Sequence, residues 1–266
     1  MNFFLKVAIE AAKAGGEVTS QYFADLASAG IVGKTQDEQS EGLVTKADVE
    51  SEQAIVATIK QHFPDHHFLG EEEHSDSVDA EHLWVIDPLD GTNNFAHGIP
   101  HFAVSVAYYR NGQAVCGAIL NPATGELYTA VQGGGAFLNE RPVQVNAHQR
   151  LNETIIATGF YYDRGAMMEA TLAAIHDLFK QEIHGIRRFG AAALDLVYVG
   201  SGRLGGFFEF TLSPWDFAAA ALFVQEAGGK VTDCRGEALP LAKTSILATN
   251  ALIHEEAKSI TVRHVV

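Results

Sequence analysis

Two cysteines, Cys116 and Cys234, are all that the 266 residues contain. That is too few for a disulfide framework and suits a reducing compartment. Basic residues are also scarce, 18 Lys and Arg against 33 Asp and Glu, for a formal net charge of −15. Such a balance repels nucleic acid and anionic bilayers, so neither is an expected partner. A small anionic substrate stays admissible, provided something positive sits between it and the protein. Long apolar runs are missing too: Phe217–Val224 falls far short of the ~20 residues that span a bilayer. The opening MNFFLKVAIEAAKAGGEV places Lys6 and Glu10 where a secretory signal needs an unbroken apolar core. A cytoplasmic protein is expected. Neither a Pro/Gly/Ser-rich linker nor an internal repeat is visible. What the chain does hold is 47% hydrophobic residues, enough for a sizeable core.

Helical and strand patterns alternate without a strict βαβ rhythm. Phe3, Phe4, Val7, Ala8, Ala11 and Ala12 recur at helical spacing, predicting a helix from about 3 to 28. A polar loop, TQDEQSEG, is expected at 35–42, and a second helix from about 46 to 62. HHFLG and LWVID read as strands. FAVSVAYY and QAVCGAIL flank Asn111-Gly112, a strong hairpin signal, and ELYTAV follows the turn NPATG. Beyond about 150, strand and helix alternate through ETIIAT, a helix marked by Met168, Leu172, Ile175 and Phe179, then IRRF, ALDLVYVG, GGFFEF, a helix after Ser213, KVTD and SILAT. Layered sheets and helices are expected, as two halves, 1–150 and 151–266, sharing a large interface.

One stretch raises a question. WVIDPLDGTNNF, residues 84–95, runs out of an apolar strand and at once sets Asp87 and Asp90 around Pro88. Pro at i+1 and Gly at i+3 describe an ordinary type I turn. The same turn could instead aim both carboxylates and a backbone carbonyl into one small volume, which is unfavourable unless a cation neutralises them. Gly91 and Thr92 would then open a helical turn with free N–H groups for an anion. The residues alone leave both readings open.

Three further acidic segments share this ambiguity. Glu71-Glu72-Glu73 suits a solvated loop, yet Gly70 ends a strand as Asp87 does, and two acid-bearing strand ends can converge at a sheet edge. Asp216 fits a capping box with Ser213 and Pro214, yet the helix it opens is apolar nearly all round, and a buried carboxylate needs a cation or several donors. Asp48 pairs with Thr45 in the same way. Together these oxygens would suit a hard cation, Mg²⁺ or Mn²⁺, rather than zinc. His97 and His101 have i, i+4 spacing, but Gly98 and Pro100 forbid the helix. Gly133-Gly134-Gly135 is followed by strand-like residues, and no nucleophile motif appears.

Set side by side, these motifs resemble the inositol monophosphatase family. DPLDGTNNF (87–95) is similar to its first motif and WDFAAAALFVQEAGG (215–229) to its second. GEE (70–72) matches its metal-ligand glutamate segment and VTKAD (44–48) the segment upstream, while IRRFGAAALDLVYVGSGRLGGFFEF (186–210) looks most like bacterial inositol-1-phosphatases. The order holds from about residue 3 to 262. The resemblance implies an α/β fold, the layered αβαβα sandwich shared with fructose-1,6-bisphosphatase. It also implies Mg²⁺-dependent hydrolysis of a phosphate monoester by activated water, without a covalent intermediate. Glu71, Asp87 and the Leu89 carbonyl would hold a first Mg²⁺. Asp87, Asp90 and Asp216 would hold a second, with Glu71 sharing in a third, weaker ion. Thr92, oriented by Asp48, would help deprotonate the water. Gly91 and Thr92 N–H groups would grip the phosphate. Ala192, Glu209 and Asp216 would contact hydroxyls of the substrate's alcohol, and Asp90 and Asn93 would also bind substrate. A small phosphorylated polyol, a homodimer and Li⁺ sensitivity complete the implied picture.

The sequence departs from the family pattern at Ala220, commonly Gly, at Ala191, often Ser or Thr, and at Phe160, smaller and polar in some relatives. These departures bear on which substrate is used. myo-Inositol monophosphate leads; histidinol phosphate, fructose 1,6-bisphosphate and a 3′-phosphonucleotide are the alternatives. A regulatory binding protein and a metal-binding protein without turnover are two further readings.

Overall fold

Residues 2–30, 32–33 and 43–266 are described in the computed structural model; the polar stretch 35–42 lies outside them. Helix α1 (Phe3–Ala24) starts at Asn2, whose Oδ1 accepts from Phe4 N at 2.9 Å. It stops earlier than its periodicity predicts, because Asp25 leaves the helical region (φ −137°, ψ 74°) and only a 3₁₀ turn, Leu26–Ala29, continues. Strands β1 (Val32–Gly33) and β2 (Leu43–Val44) form a small antiparallel pair. Helix α2 (Lys46–Lys60) packs along α1.

A seven-stranded sheet follows: β3 (His67–Gly70), β4 (His82–Asp90), β5 (Ala103–Arg110), β6 (Gln113–Asn121), β7 (Glu126–Val131), β8 (Gly135–Leu138) and β9 (Arg141–Val143), in that spatial order. Only β3 and β4 run parallel. The short helix α3 (Thr92–Ala96) leaves the end of β4. The second half begins with β10 (Ile155–Thr158), α4 (Ala166–Phe179), β11 (Gly185–Arg187) and α5 (Ala192–Gly200). It ends with β12 (Gly206–Leu212), α6 (Pro214–Glu226), β13 (Lys230–Thr232), β14 (Thr244–Thr249) and α7 (His254–Thr261). Its five strands order as β11-β10-β12-β14-β13.

The layers are α1 and α2, the large sheet, α5 and α6, the small sheet, then α4 and α7. This is the αβαβα sandwich expected. Each helix buries the face its sequence prescribes. Val7, Ala11, Ile55 and Ile59 meet Trp84, Val106 and Tyr108 on the outer face of the large sheet. On the far side, Ala174, Leu178, Ala257 and Ile260 close over Phe208, Phe210 and Leu247. The central layer is apolar all round because it has a sheet on each side. Ala219 sits so close to β6 that a Cβ on Gly117 would lie 3.0 Å from its Cα. Phe223 is fully buried there, and truncating it to Ala would cost about 3–5 kcal/mol. The largest apolar cluster takes Leu83, Ile119 and Tyr128 from before residue 150 and Phe217, Phe223 and Ile246 from after it.

Candidate active site

Successive residues of a strand point to opposite faces, so Asp87 and Asp90, three apart, should diverge. They do not, because β4 bulges. Asp87 pairs with Ser105 and Asp90 with Ala103, three steps on β4 against two on β5. The extra residue brings both acids to one side. Pro88 sits inside the bulge, where its missing N–H costs no ladder bond. Strand pairing thus continues through Asp90, and the free type I turn expected from Pro-Leu-Asp-Gly is replaced by this irregularity. Leu89 N donates to Asp87 Oδ1 at 3.0 Å, and Ser51 Oγ donates to the Pro88 carbonyl at 3.0 Å. Gly91 then turns the chain at φ +92°; a Cβ there would lie 3.0 Å from the His101 carbonyl oxygen.

Two helix N-termini complete the floor. Asp90 accepts from Ala192 N (3.1 Å) and Ala193 N (2.8 Å) at the start of α5. Asp216 takes the third position of α6, and its Oδ2 accepts from Ser213 N at 2.7 Å. The capping role and the site role belong to the same carboxylate. Asp87, Asp90 and Asp216 present oxygens all within 4.8 Å of one another.

Glu71 follows the end of β3 and lines the same cavity, of about 240 Å³, as these three. Leu89, Gly91, Thr92, Asn93, Ala192 and Glu209 line it too, so every residue expected in the site does so except Asp48. Asp48 stands behind Thr92. Its Oδ2 accepts from Thr45 N and Oγ1 (2.7 Å each), and its Oδ1 lies 3.1 Å from Thr92 Oγ1. The Leu89 carbonyl is 3.0 Å from the same hydroxyl, which has one hydrogen to give to either.

The electrostatics are those of an incomplete charge set. Burial pushes Asp87 and Asp216 well above the usual carboxylate range, and the nearby Glu71 and Asp90 add to it. Burial likewise takes Asp90 to about 7 against the pull of its backbone bonds. It takes Asp48 to about 7, helped by Glu71, and Glu209 to about 8, opposed by Arg188. Asp87 Oδ2 is buried without a hydrogen-bond partner among the described residues. An orphaned carboxylate oxygen beside two other acids is what a hard cation would satisfy, and the all-oxygen donors fit one. Asp195 Oδ1 and His101 Nε2, 4.0 Å apart, are also buried and unbonded. Burial raises Asp195 well above its ordinary value and lowers His101 to about 4.

The sequence reading missed Glu52. Fully buried, it accepts from Glu72 N (3.0 Å), Glu73 N (2.9 Å) and His74 Nδ1 (2.8 Å), fixing the loop that carries Glu71. A Cβ on Gly70 would lie 2.5 Å from its carboxylate. The signal was present: Asp48, Ser51 and Glu52 share the helical stripe of Ile55, Val56 and Ile59, and polar residues at core positions need a reason.

Comparison with known proteins agrees with this geometry. The sequence model of the inositol monophosphatase family matches residues 1–265. The chain is 45% identical over 222 residues to the inositol-1-monophosphatase of Rhizobium meliloti (strain 1021), covering 83% of each. It is 40% identical to the putative Nus factor SuhB of Neisseria meningitidis serogroup B over the whole of both chains. The crystal structure of extragenic suppressor protein suhB from Bartonella henselae superimposes with a TM-score of 0.89 at 39% identity, covering 97% of this chain and 98% of that one. The chain belongs to the inositol monophosphatase family.

Proposed function

We propose that the protein hydrolyses a phosphate monoester in a Mg²⁺-dependent reaction, with myo-inositol monophosphate the leading substrate. The observation that carries this reading is the trio Asp87, Asp90 and Asp216, whose buried carboxylates present oxygens within 4.8 Å of one another. Asp87, Asp90, Asp216, Glu71 and the Leu89 carbonyl would hold two or three Mg²⁺ ions, Mn²⁺ being a substitute. Bound there, divalent ions supply charge to both sides of an in-line displacement and make water nucleophilic near neutral pH.

The chain's own residues do the rest. Ionised Asp48 accepts the Thr92 hydrogen at Oδ1; as the Thr92 oxygen takes a proton from the attacking water, its own hydrogen passes to that carboxylate, so the hydroxyl stays neutral and the proton ends on Asp48. Gly91 and Thr92 N–H groups orient the phosphate. Asn93, Ala192 and Glu209 face the alcohol and set which ester fits. A homodimer and inhibition by Li⁺ belong to the same reading, checked by light scattering and by assay in lithium salts.

The deciding experiment is phosphate release by the purified protein from inositol 1-phosphate, histidinol phosphate, fructose 1,6-bisphosphate and a 3′-phosphonucleotide, with and without Mg²⁺. Absence of Mg²⁺-dependent release from all four overturns the reading. A second role is favoured by the names of the Neisseria relative and of the Pseudomonas aeruginosa Nus factor SuhB, also 40% identical: a Nus-factor function through a protein partner. Partner capture that survives Asp87→Asn while turnover is lost would separate the two.

A further inference from the structure

Among the described residues, Arg188 and Lys243 are the two cationic side chains lining a cavity that also presents Glu71, Asp87, Asp90, Asp195, Glu209 and Asp216. In a chain of charge −15, two cations at one mouth stand against the general field. Arg188 follows β11, and its guanidinium lies against the bare Cα of Gly190, where a Cβ would fall 2.3 Å from Nη1. Gly190 itself abuts the turn at Gly91, its carbonyl oxygen 3.3 Å from where a Gly91 Cβ would stand. Among the described residues no carboxylate lies within ion-pair distance of Arg188. Its charge still reaches Glu209 and Asp195 deeper in the wall.

Lys243 occupies another part of the mouth, before β14. Its Nζ donates to Tyr161 Oη at 2.6 Å and sits 4.6 Å from the centre of that ring. Tyr161 meets Tyr162 edge to face at 5.9 Å, and Tyr162 Oη accepts from Asn93 Nδ2 at 3.4 Å. The pair Tyr161-Tyr162 is therefore tied through Tyr162 to Asn93, beside the phosphate-gripping turn, and through Tyr161 to Lys243. One ammonium hydrogen is used by Tyr161, and two remain.

A neutral polyol needs hydrogen-bond partners, which Glu209 and the start of α5 provide; it has no use for two cations. An unpaired guanidinium matches a planar or tetrahedral oxyanion by paired N–H donors. We propose that this mouth is a second anion subsite, in which Arg188 and Lys243 select phosphate monoesters whose alcohol portion carries a further phosphate or carboxylate group. The inference rests on the phosphatase reading and puts an ester with a second anionic group ahead of myo-inositol monophosphate as its preferred substrate. The competing explanation is that Arg188 only offsets the charge of Glu209 and Asp195, in which case all esters suffer alike when it is removed.

The test uses matched esters differing by one anionic group: inositol 1-phosphate against inositol 1,4-bisphosphate, and glycerol 2-phosphate against 2-phosphoglycerate. KM and kcat are measured with Mg²⁺ for the wild type, Arg188→Gln, Lys243→Gln and Arg188→Lys. The expected result is a KM rise of about tenfold for the doubly charged member of one pair in each Gln variant, the size of one lost charge-assisted hydrogen bond. Its singly charged partner should shift far less, with partial rescue by Arg188→Lys. The pair that responds tells a phosphate subsite from a carboxylate one. Equal shifts within both pairs, or none, overturn the inference. Should the wild type release phosphate from none of the four, the phosphatase reading falls. Calorimetric titration with the 1,4-bisphosphate then decides the subsite: binding weakened about tenfold by Arg188→Gln upholds it, and unchanged or absent binding overturns it.

Discussion

Two acidic regions of this molecule treat charge in opposite ways. On α4, Asp177 is met by Lys180 Nζ at 3.3 Å, Arg263 Nη2 at 3.1 Å and His264 Nε2 at 3.0 Å. Those partners, the His264 hydrogen bond foremost, hold it down to about 2. In the cavity, Asp87, Asp90 and Asp216 are more deeply buried, and among the described residues the groups that act on them most are one another, Glu71, Glu209 and backbone N–H groups. Their protons are held up instead. The chain can neutralise its own carboxylates and does so at α4. Leaving three unneutralised where burial makes it most costly points to charge arriving from outside.

Asp87→Asn should sharpen that contrast most. Turnover should fall by roughly 10³-fold, as when a group aimed at transition-state charge is removed. In protein stripped of divalent ions, the same variant should melt at a higher temperature than wild type, since the cost of taking up a proton on burying that carboxyl is gone. Activity and metal-free stability thus move in opposite directions. A variant that keeps its activity, or melts lower without metal, breaks the comparison.

Asp48 comes next. It is buried and raised to about 7, and its ionised form is the one that accepts the Thr92 hydrogen. Rate should therefore rise with pH through that region. Asp48→Asn should lower kcat by about 10²-fold, a typical share for one acid-base group, and abolish the rise. Retention of the acid limb in the variant would assign it to another group.

How far this pocket could be read beforehand depends on the kind of feature. The alternation of helices and strands followed from apolar spacing and the hairpin at Asn111-Gly112 from turn chemistry, while the αβαβα layer order came with the family resemblance. Asp87, Asp90 and Asp216 stood out because Pro and Gly punctuate the chain around them. Their convergence did not, since a β-bulge and a type I turn share the pattern Asp-Pro-Leu-Asp-Gly, and only the partner strand decides between them. Arg188 and Lys243 were invisible for a similar reason: an exposed cation acquires meaning only from what the fold sets opposite it. Glu52 was hidden in an ordinary amphipathic stripe.

Glu52→Gln tests the support rather than the ligands. The amide keeps one acceptor for three donors, so the loop bearing Glu71 should loosen while the core around Ile55 and Ile59 stays packed. Affinity for Mn²⁺, titrated in the absence of substrate, should weaken about tenfold, the lower range for groups that orient a ligand. Full affinity would show that the loop holds its shape unaided.

The smallest effects should come from pH acting on the two regions separately. Asp48 and Asp90 sit near 7 and Glu209 near 8 in the fold, against ordinary values of 3.8 and 4.5. Between those limits the folded chain binds more protons than the unfolded one, so metal-free stability should fall as pH rises from about 4 to about 8. Excess Mg²⁺ should flatten that slope by taking the place of the protons. Asp177 has the reverse sign. Lowered from 3.8 to about 2, it stabilises the fold above its unfolded value and loses that contribution as pH falls through the window between them. Asp177→Asn should leave phosphate release intact and remove a small part of the acid sensitivity, with a salt dependence that marks an exposed pair. If metal-free protein instead gains stability from pH 4 to pH 8, the cavity carboxylates are neutralised from within and no external cation is called for.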